Sequence, residues 1–298
     1  MKILFTGANG FLGKNIIPLI SADNEVFTLD LSNANYNYNL AIEKPSFTPN
    51  NFEVIFHAAG KAHSIPKSPE EEKLFYDINE EGTKNLCFAL EDNAIPKTFI
   101  FISTVAVYGI ENGENIDENF PLDGNTPYAL SKKNAELFLK NWCDKNQVKL
   151  IVLRPSLIAG KNPPGNLGDM IKGIKSGKYF NIGKGNAKKS IFFADDFAYI
   201  INNVAHINAG IYNVCDSHHP SFYELAEKIS LLLGKSRPLS IPFFLAKSFA
   251  IIGDLLGSKA PINSLKLSKI TQSLTFSNEK IKKELSWEPS DVLNNFKL

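Results

Sequence analysis

Cysteine is scarce, charge of neither sign is in surplus, and no long unbroken apolar run occurs in the 298 residues. Cys87, Cys143 and Cys215 are odd in number, scattered, and without CxxC or metal-ligand spacing. That argues against a disulfide framework or a structural metal and reads as small buried thiols in a reducing compartment. His218 and His219 lie in a polar turn with no third ligand, so no metal is expected. Lys and Arg total 32 against 31 Asp and Glu, a net charge of +1. So balanced a chain has no strong field steering it to nucleic acid or to an anionic membrane. The first apolar stretch, KILFTGANGFLG, breaks into glycines with no small-residue cleavage site behind it, so no secretory leader is expected. The most apolar later stretch, IPFFLAKSFAIIGDLL, is interrupted by Lys247 and Asp254 and falls short of the roughly 20 residues that span a bilayer. It reads as a helix of a substrate-binding domain, with peripheral membrane contact as the alternative. A hydrophobic content of 44% with 21% charged residues then describes a soluble, cytoplasmic globular protein.

What is present is a regular alternation. KILFTG, EVFTLD, EVIFHAAG, KTFIFISTVAVYG and KLIVLRPSLIAG read as strands; FLGKNIIPLI, NEEGTKNLCFALED and PYALSKKNAELFLKNW read as the helices between them. Continuous branched and aromatic strands, each followed by a helix, predict βαβ units, a buried parallel sheet and right-handed crossovers. The fold class is α/β, a doubly wound sheet. After about residue 160 the composition turns to Gly, Asn, Lys and Pro (KNPPGNLGDM, NIGKGNAKK), predicting a loop-rich insertion. SIFFADDFAYIINNVA and GIYNVCDS return to strand and helix, Ser221 and Glu224 form a capping box, and NEKIKKELSWEP is a short helix stopped by Pro289. The expected division places residues 1–160 with about 190–214 in a Rossmann-type domain. Residues of about 161–189 with 215–298 form a smaller substrate domain.

In KILFTGANGFLG, Gly7, Gly10 and Gly13 sit in the turn from the first strand to its helix, and EVFTLD ends in Asp30 about 20 residues on, the spacing of a dinucleotide fingerprint. Small residues admit a pyrophosphate close to the backbone, and the helix N-terminus faces its charge. Asp30 would accept from the adenosine ribose hydroxyls and repel a 2′-phosphate. Leu31, Ser32 and Asn33 follow with no cation, so NAD is favoured over NADP.

TPYALSKK places Tyr128 one helical turn before Lys132, with Thr126 as N-cap and Pro127 as first helical residue. Alone, that spacing is a common coincidence. In company it is not. TGANGFLG, VIFHAAG, NEEGTKNL, FISTVAVYG, YALSK, LRPSLIAG, SIFFADDFA and the NEKIKKELSWEP tail, in this order along nearly the whole chain, resemble the short-chain dehydrogenase/reductase superfamily, in its extended branch acting on nucleotide sugars (the NAD-dependent epimerase/dehydratase family). The resemblance implies a cofactor set of Gly7, Asn9, Gly10, Phe11, Leu12, Gly13, Asp30, Leu31, Asn39, Leu40, Ala58, Ala59, Gly60, Asn79, Ile102, Tyr128, Lys132 and Pro155. It makes Tyr128 the acid/base, Lys132 the cation that favours the tyrosinate and holds the nicotinamide ribose, and Thr104 the hydroxyl on the reacting sugar oxygen. A free phenol has a pKa of about 10, so an assisting cation is physically needed near neutrality. Ser103 is the neighbouring candidate, since strand alternation turns only one of the two toward the site. On the substrate side it implies Asn166 at a helix start meeting the diphosphate, and Lys189 as a basic contact, against a plain helix cap and a solvated charge. His63 borders the sugar or is an ordinary loop histidine. The resemblance also implies a homodimer through helices that include the one bearing Tyr128.

Two departures narrow the chemistry. Val105 and Ala106 stand where nucleotide-sugar 4,6-dehydratases of the family carry two acids, which argues against that reaction. Asn39-Leu40 replaces the usual Asp-Leu beside the adenine. The expected function is an NAD-dependent 4-epimerase of a UDP-hexose or UDP-N-acetylhexosamine, working through a 4-keto sugar. The alternative is an NAD(P)H-dependent 4-keto-6-deoxy-sugar reductase. The reading from a different class is a non-catalytic dinucleotide sensor.

Overall fold

Successive residues of the apolar runs turn to opposite faces of one sheet, and both faces are covered. The computed structural model describes residues 1–47, 51–62, 64–256 and 263–297. In chain order the elements are β1 (Lys2–Thr6), α1 (Phe11–Ile20), β2 (Glu25–Asp30), β3 (Tyr36–Asn37), β4 (Val54–His57), α2 (Pro69–Tyr76), α3 (Gly82–Glu91), β5 (Thr98–Ile102), β6 (Gly113–Ile116) and α4 (Pro127–Asn146). Then come β7 (Lys149–Pro155), β8 (Leu157–Ala159), α5 (Gly165–Lys175), β9 (Asn181–Ile182), β10 (Ile191–Phe193), α6 (Asp196–Asn202) and β11 (Gly210–Val214). The chain closes with α7 (Phe222–Leu232), β12 (Ser240–Ile241), α8 (Phe243–Leu256), α9 (Ser264–Thr271), β13 (Leu274–Phe276), α10 (Glu279–Leu285) and α11 (Val292–Asn295).

Seven strands form a parallel sheet in the order β11–β7–β5–β4–β1–β2–β3. Ile3, Phe5, Val54, Phe56, Ile100 and Ile151 enter one core with α1, α6 and α10. Their neighbours Leu4, Ile55, Phe99, Phe101 and Val152 enter the other with α3 and α4. This two-sided burial is why the strands read as continuous apolar runs. The order reverses between β1 and β4, which opens a crevice at the strands' carboxyl ends there. The α/β doubly wound sheet is the fold the sequence predicts.

The strands are shorter than their apolar runs. Residues 97–109 do not make one strand: β5 ends at Ile102, and Val105–Tyr108 coil into a 3₁₀ turn because the Thr104 hydroxyl accepts from the Ala106 N–H. Residues 149–160 split after Pro155, and β8 leaves the main sheet to pair with β10. The supposed loop-rich stretch contains α5, which with β8 and α7 surrounds a third core of Ala159, Leu167, Met170, Leu225 and Ile229. The capping box of α7 forms as read, with Glu224 returning to the Ser221 backbone. α10 stops at Leu285, where Ser286 takes a left-handed conformation (φ +46°), ahead of Pro289.

Candidate functional site

The crevice is lined first by the turn after β1. Gly7 has φ +75°, and a Cβ there would lie 2.8 Å from the Ala59 nitrogen, so both the turn and its approach to the chain leaving β4 require glycine. Gly10 then caps α1 in an extended conformation, and Phe11, Leu12 and Gly13 make the first helical turn. Their free N–H groups face the crevice as an anion site. At the end of β2, Asp30 accepts from the Asn9 N–H at 2.8 Å and from the Leu31 N–H at 2.7 Å. A carboxylate has about four acceptor sites, so two remain for hydroxyls.

Behind this turn runs a buried relay through His57, the last residue of β4. Thr83 donates its hydroxyl to the Asn79 carbonyl at 2.7 Å, so it must accept from His57 Nε2–H at 2.9 Å. Thr6 accepts from the Ala59 N–H at 3.1 Å and donates to His57 Nδ1 at 2.7 Å. The partners leave one consistent tautomer, neutral with the proton on Nε2. Burial, aided by the Lys132 charge, pushes the His57 pKa down to about 3. Asn79, fully buried, extends the network: its amide brackets the backbone of Lys61, Oδ1 accepting at 2.7 Å and Nδ2 donating at 3.1 Å. Asn79 Nδ2 also donates to Ser131, whose hydroxyl donates to the Tyr128 carbonyl.

α4 supplies the third wall. The Thr126 hydroxyl accepts from the Ala129 N–H and Pro127 takes the first helical position, so the helix begins where Tyr128 must stand. Tyr128 lies beside Thr104, whose hydroxyl accepts from the Ala106 N–H and so keeps its one proton free for a neighbouring oxygen. Burial raises the Tyr128 pKa above its ordinary value, and the Thr104 hydroxyl pulls it back in part. Lys132 is buried, donates to the Ile102 carbonyl at 2.8 Å, and lies 4.7 Å from the Phe101 ring centre. Burial lowers its pKa to about 8, opposed by Glu136. Gly60 faces this group: a Cβ there would lie 2.9 Å from Asn79 Oδ1 and 3.1 Å from Lys132 Nζ.

The family model described as NAD dependent epimerase/dehydratase family matches residues 3–215, from within β1 to just past β11. The chain belongs to that family. Among curated relatives of this epimerase/dehydratase member, it is 29% identical to the N-acetyl-alpha-D-glucosaminyl-diphospho-ditrans,octacis-undecaprenol 4-epimerase of Escherichia coli O157:H7, over 94% of this chain and 88% of the relative. It is 25% identical to the UDP-glucose 4-epimerase of Vibrio cholerae, over 98% and 92% of the two chains. Its fold resembles that of RMD from Pseudomonas aeruginosa complexed with NADPH: TM-score 0.73, 21% identity, 98% of this chain and 95% of the other.

Within this family member the remaining sequence-predicted residues divide. Thr104, Tyr128, Lys132, Gly60, Asn79 and Ile102 come together, as do Gly7, Asn9, Asp30 and Ala59. Ser103 does not join them: its hydroxyl donates to Glu136 inside the sheet–α4 core, on the opposite side of the backbone from Thr104. Asn39 turns its side-chain oxygen to the Ala41 N–H at 3.1 Å, and Leu40 is buried under Gly82. Leu31 is exposed, and Pro155 is buried at the end of β7. Asn166 is exposed in the first turn of α5. Lys189 is half-buried beside Leu274, and burial lowers its pKa to about 8. His63 lies outside the described residues. His219 Nδ1 meets the Ser190 hydroxyl, and no cluster able to hold a metal occurs among the described residues.

Four residues went unassigned in the sequence. His57 carried one signal, a titratable residue closing an otherwise apolar strand. Glu136 and Arg154 carried less. Both are buried and form a two-pronged pair, Nε–Oε1 3.1 Å and Nη2–Oε2 2.6 Å, with Arg154 also donating to the Tyr108 hydroxyl at 3.1 Å. Ser131, which links Asn79 to α4, had none.

Proposed function

We propose that the protein is an NAD-dependent 4-epimerase of a diphosphate-linked hexose or N-acetylhexosamine, with UDP as the simplest carrier. The observation that carries this reading is the Thr104–Tyr128 hydroxyl pair beside Lys132, at a turn where Val105 and Ala106 offer no carboxylate. The E. coli and V. cholerae relatives, aligned over nearly the full chain, are both named 4-epimerases, the former acting on an undecaprenol-linked sugar. A polyprenyl diphosphate is therefore the second carrier to consider.

The crevice fits a dinucleotide: Gly7 leaves the space a Cβ would fill, the α1 N-terminus faces it, and Asp30 has acceptor capacity to spare. The Asp30 carboxylate, with no cation in the next three residues, favours NAD over NADP. When bound, the cofactor would supply a reversible hydride acceptor beside the sugar. The protein's own residues handle the proton. Thr104 donates to the oxygen shared with Tyr128, and Tyr128 takes the O4 proton and returns it after the 4-keto sugar has turned over. Lys132, one turn away, supplies the positive field that favours the phenolate. Val105 and Ala106 cannot move a proton, which argues against loss of water. The helices around the third core, with Asn166 on α5, form the side that would hold the carrier diphosphate. Exposed Phe88 on α3 and Leu137 on α4 support a homodimer through those helices.

One observation favours the 4-keto-sugar reductase as a second reading. A phenol whose pKa is raised is suited to donating a proton to a ketone oxygen. Following anomeric proton signals of UDP-glucose and UDP-N-acetylglucosamine incubated with the purified protein separates the two. Epimer formation without added nicotinamide supports the epimerase; turnover only of 4-keto sugars with added NADPH replaces it with the reductase. Tyr128→Phe should lower turnover by about 10²–10⁴-fold, and full activity in that variant would overturn the mechanism.

A further inference from the structure

The helix α8 is inside out. Its small residues Ala246, Ala250 and Gly253 are buried against the protein, where Ala246 and Ala250 pack with Leu267 of α9 and with Ile182 and Ile241 of the β9–β12 pair. Its bulk points outward: Phe243, Phe244, Phe249, Ile251, Ile252 and Leu255 are each about half exposed or more, with Leu255 at 86%. An apolar face this continuous is unusual on a soluble surface and marks a contact. No helix of the described residues is long and apolar enough to cross a membrane, and α8, at 14 residues with Lys247 and Asp254 within it, has the proportions of a helix that lies in an interface.

The charge around it says what covers it. The chain as a whole is balanced, but residues 172–189, which include β9, hold six lysines and no carboxylate. Residues 235–253, which include β12 and most of α8, hold Lys235, Arg237 and Lys247 and again no carboxylate. β9 and β12 are hydrogen-bonded neighbours, and Gly183 lies against Phe243, so both stretches meet at the start of α8. Lys178, Lys184, Lys235 and Lys247 are exposed. The one acid within α8, Asp254, is turned to the start of α9, where it accepts from the Ser264 N–H at 2.9 Å and from its hydroxyl. Arg237 pairs with Glu227 and Lys172 with Asp169. Lys178, Lys184, Lys235 and Lys247 have no ion-pair partner among the described residues, and a bulky apolar face beside such exposed lysines matches the acyl boundary and headgroups of an anionic bilayer. A second copy of the chain would bring the same cations into mutual repulsion.

We propose that α8 and the flanking lysines dock this protein on an anionic lipid bilayer. Docking would bring the sugar site beside substrates whose carrier is itself anchored in lipid. That consequence rests on the 4-epimerase reading, whereas docking is measured without turnover. The full chain is sedimented with vesicles of phosphatidylcholine alone or mixed with phosphatidylglycerol. We expect partition onto the mixed vesicles, weakened by salt, and a loss of about tenfold or more in Phe244→Asp/Leu255→Asp. Lys178→Glu/Lys247→Glu should weaken binding to the mixed vesicles alone. Both variants alter exposed side chains and should melt like the parent. The proposal is overturned if the parent stays in solution with every vesicle, if the aspartate variant partitions like the parent, or if that variant loses only self-association.

Discussion

Lys132 Nζ donates to the carbonyl oxygen of Ile102 at 2.8 Å, joining the helix that carries Tyr128 to the strand that leads into Thr104. The two hydroxyl groups are thus held by one cross-link between elements 30 residues apart in sequence. The same ammonium and the buried Asn79 side chain both face Gly60, so the wall of the crevice and the Thr104–Tyr128 pair share one charged group. The arrangement explains why a lysine is kept where burial opposes its charge.

That opposition gives a pH signature. With a pKa of about 8, Lys132 is charged below that value and loses its proton as pH rises through it. If its field favours the Tyr128 phenolate, turnover should fall with a midpoint near pH 8, well below the ordinary lysine range. Lys132→Met should lack this alkaline step and Lys132→Arg should remove it by staying charged. A pH–rate profile in Lys132→Met that keeps the step would assign it to another group.

Gly60→Ala tests the crowding on the other side of the ammonium. The new Cβ would meet Asn79 Oδ1 at 2.9 Å and Lys132 Nζ at 3.1 Å, both of them ends of side chains rather than backbone. Side-chain ends can give way, so the stability cost should stay within about 1–3 kcal/mol. What gives way is the machinery itself. Turnover should fall by about tenfold or more while the melting temperature shifts by only a few degrees. Equal losses in both would mean a merely structural role for the gap.

How much of this was visible in the sequence depended on how far apart the partners lie. Tyr128 and Lys132 are four residues apart, and the glycine turn to Asp30 repeats a spacing set by one βαβ unit, so short-range pattern, read together with the family resemblance, pointed to them. His57 meets Thr6 and Thr83 across 51 and 26 residues, and no local periodicity encodes those contacts. Strand ends were overrun for a related reason. Val105 and Ala106 continue the apolar run of β5, but the Thr104 cap bends them into a turn. For α8, composition announced a helix without saying which face would be covered. Small residues on the inner side and bulky ones outside reverse the usual rule, and only the packing against α9 and the β9–β12 pair reveals it.

The buried pair Glu136–Arg154 is expected to be costly to break and cheap to replace. Glu136→Gln leaves the Arg154 guanidinium, 1% exposed, without its counter-charge and weakens the acceptor for Ser103. Removing one partner of such a pair costs roughly 3–5 kcal/mol. Denaturant unfolding should show that loss, whereas Glu136→Leu/Arg154→Met, apolar and of similar volume, should recover most of it. A loss below about 1 kcal/mol in the single variant would mean that water reaches the pair.

His57 makes stability depend on pH with a definite sign. Its pKa is 6.5 when free and about 3 in the fold. Between those values the unfolded chain binds a proton that the native state refuses, so stability rises with pH across the window. The contribution is fully present above about pH 6.5 and is lost as pH falls toward 3, with an upper bound of about 5 kcal/mol. His57→Gln cannot titrate. It should be less stable than the parent near pH 7, where the relay from Ala59 to Asn79 is broken, and the difference between the two should shrink steadily on acidification. Unfolding curves of both proteins taken from pH 7 down to pH 4 measure that difference directly. A gap that stays constant over the range would show that the ring is not held neutral, and the tautomer assigned from Thr6 and Thr83 would fall with it.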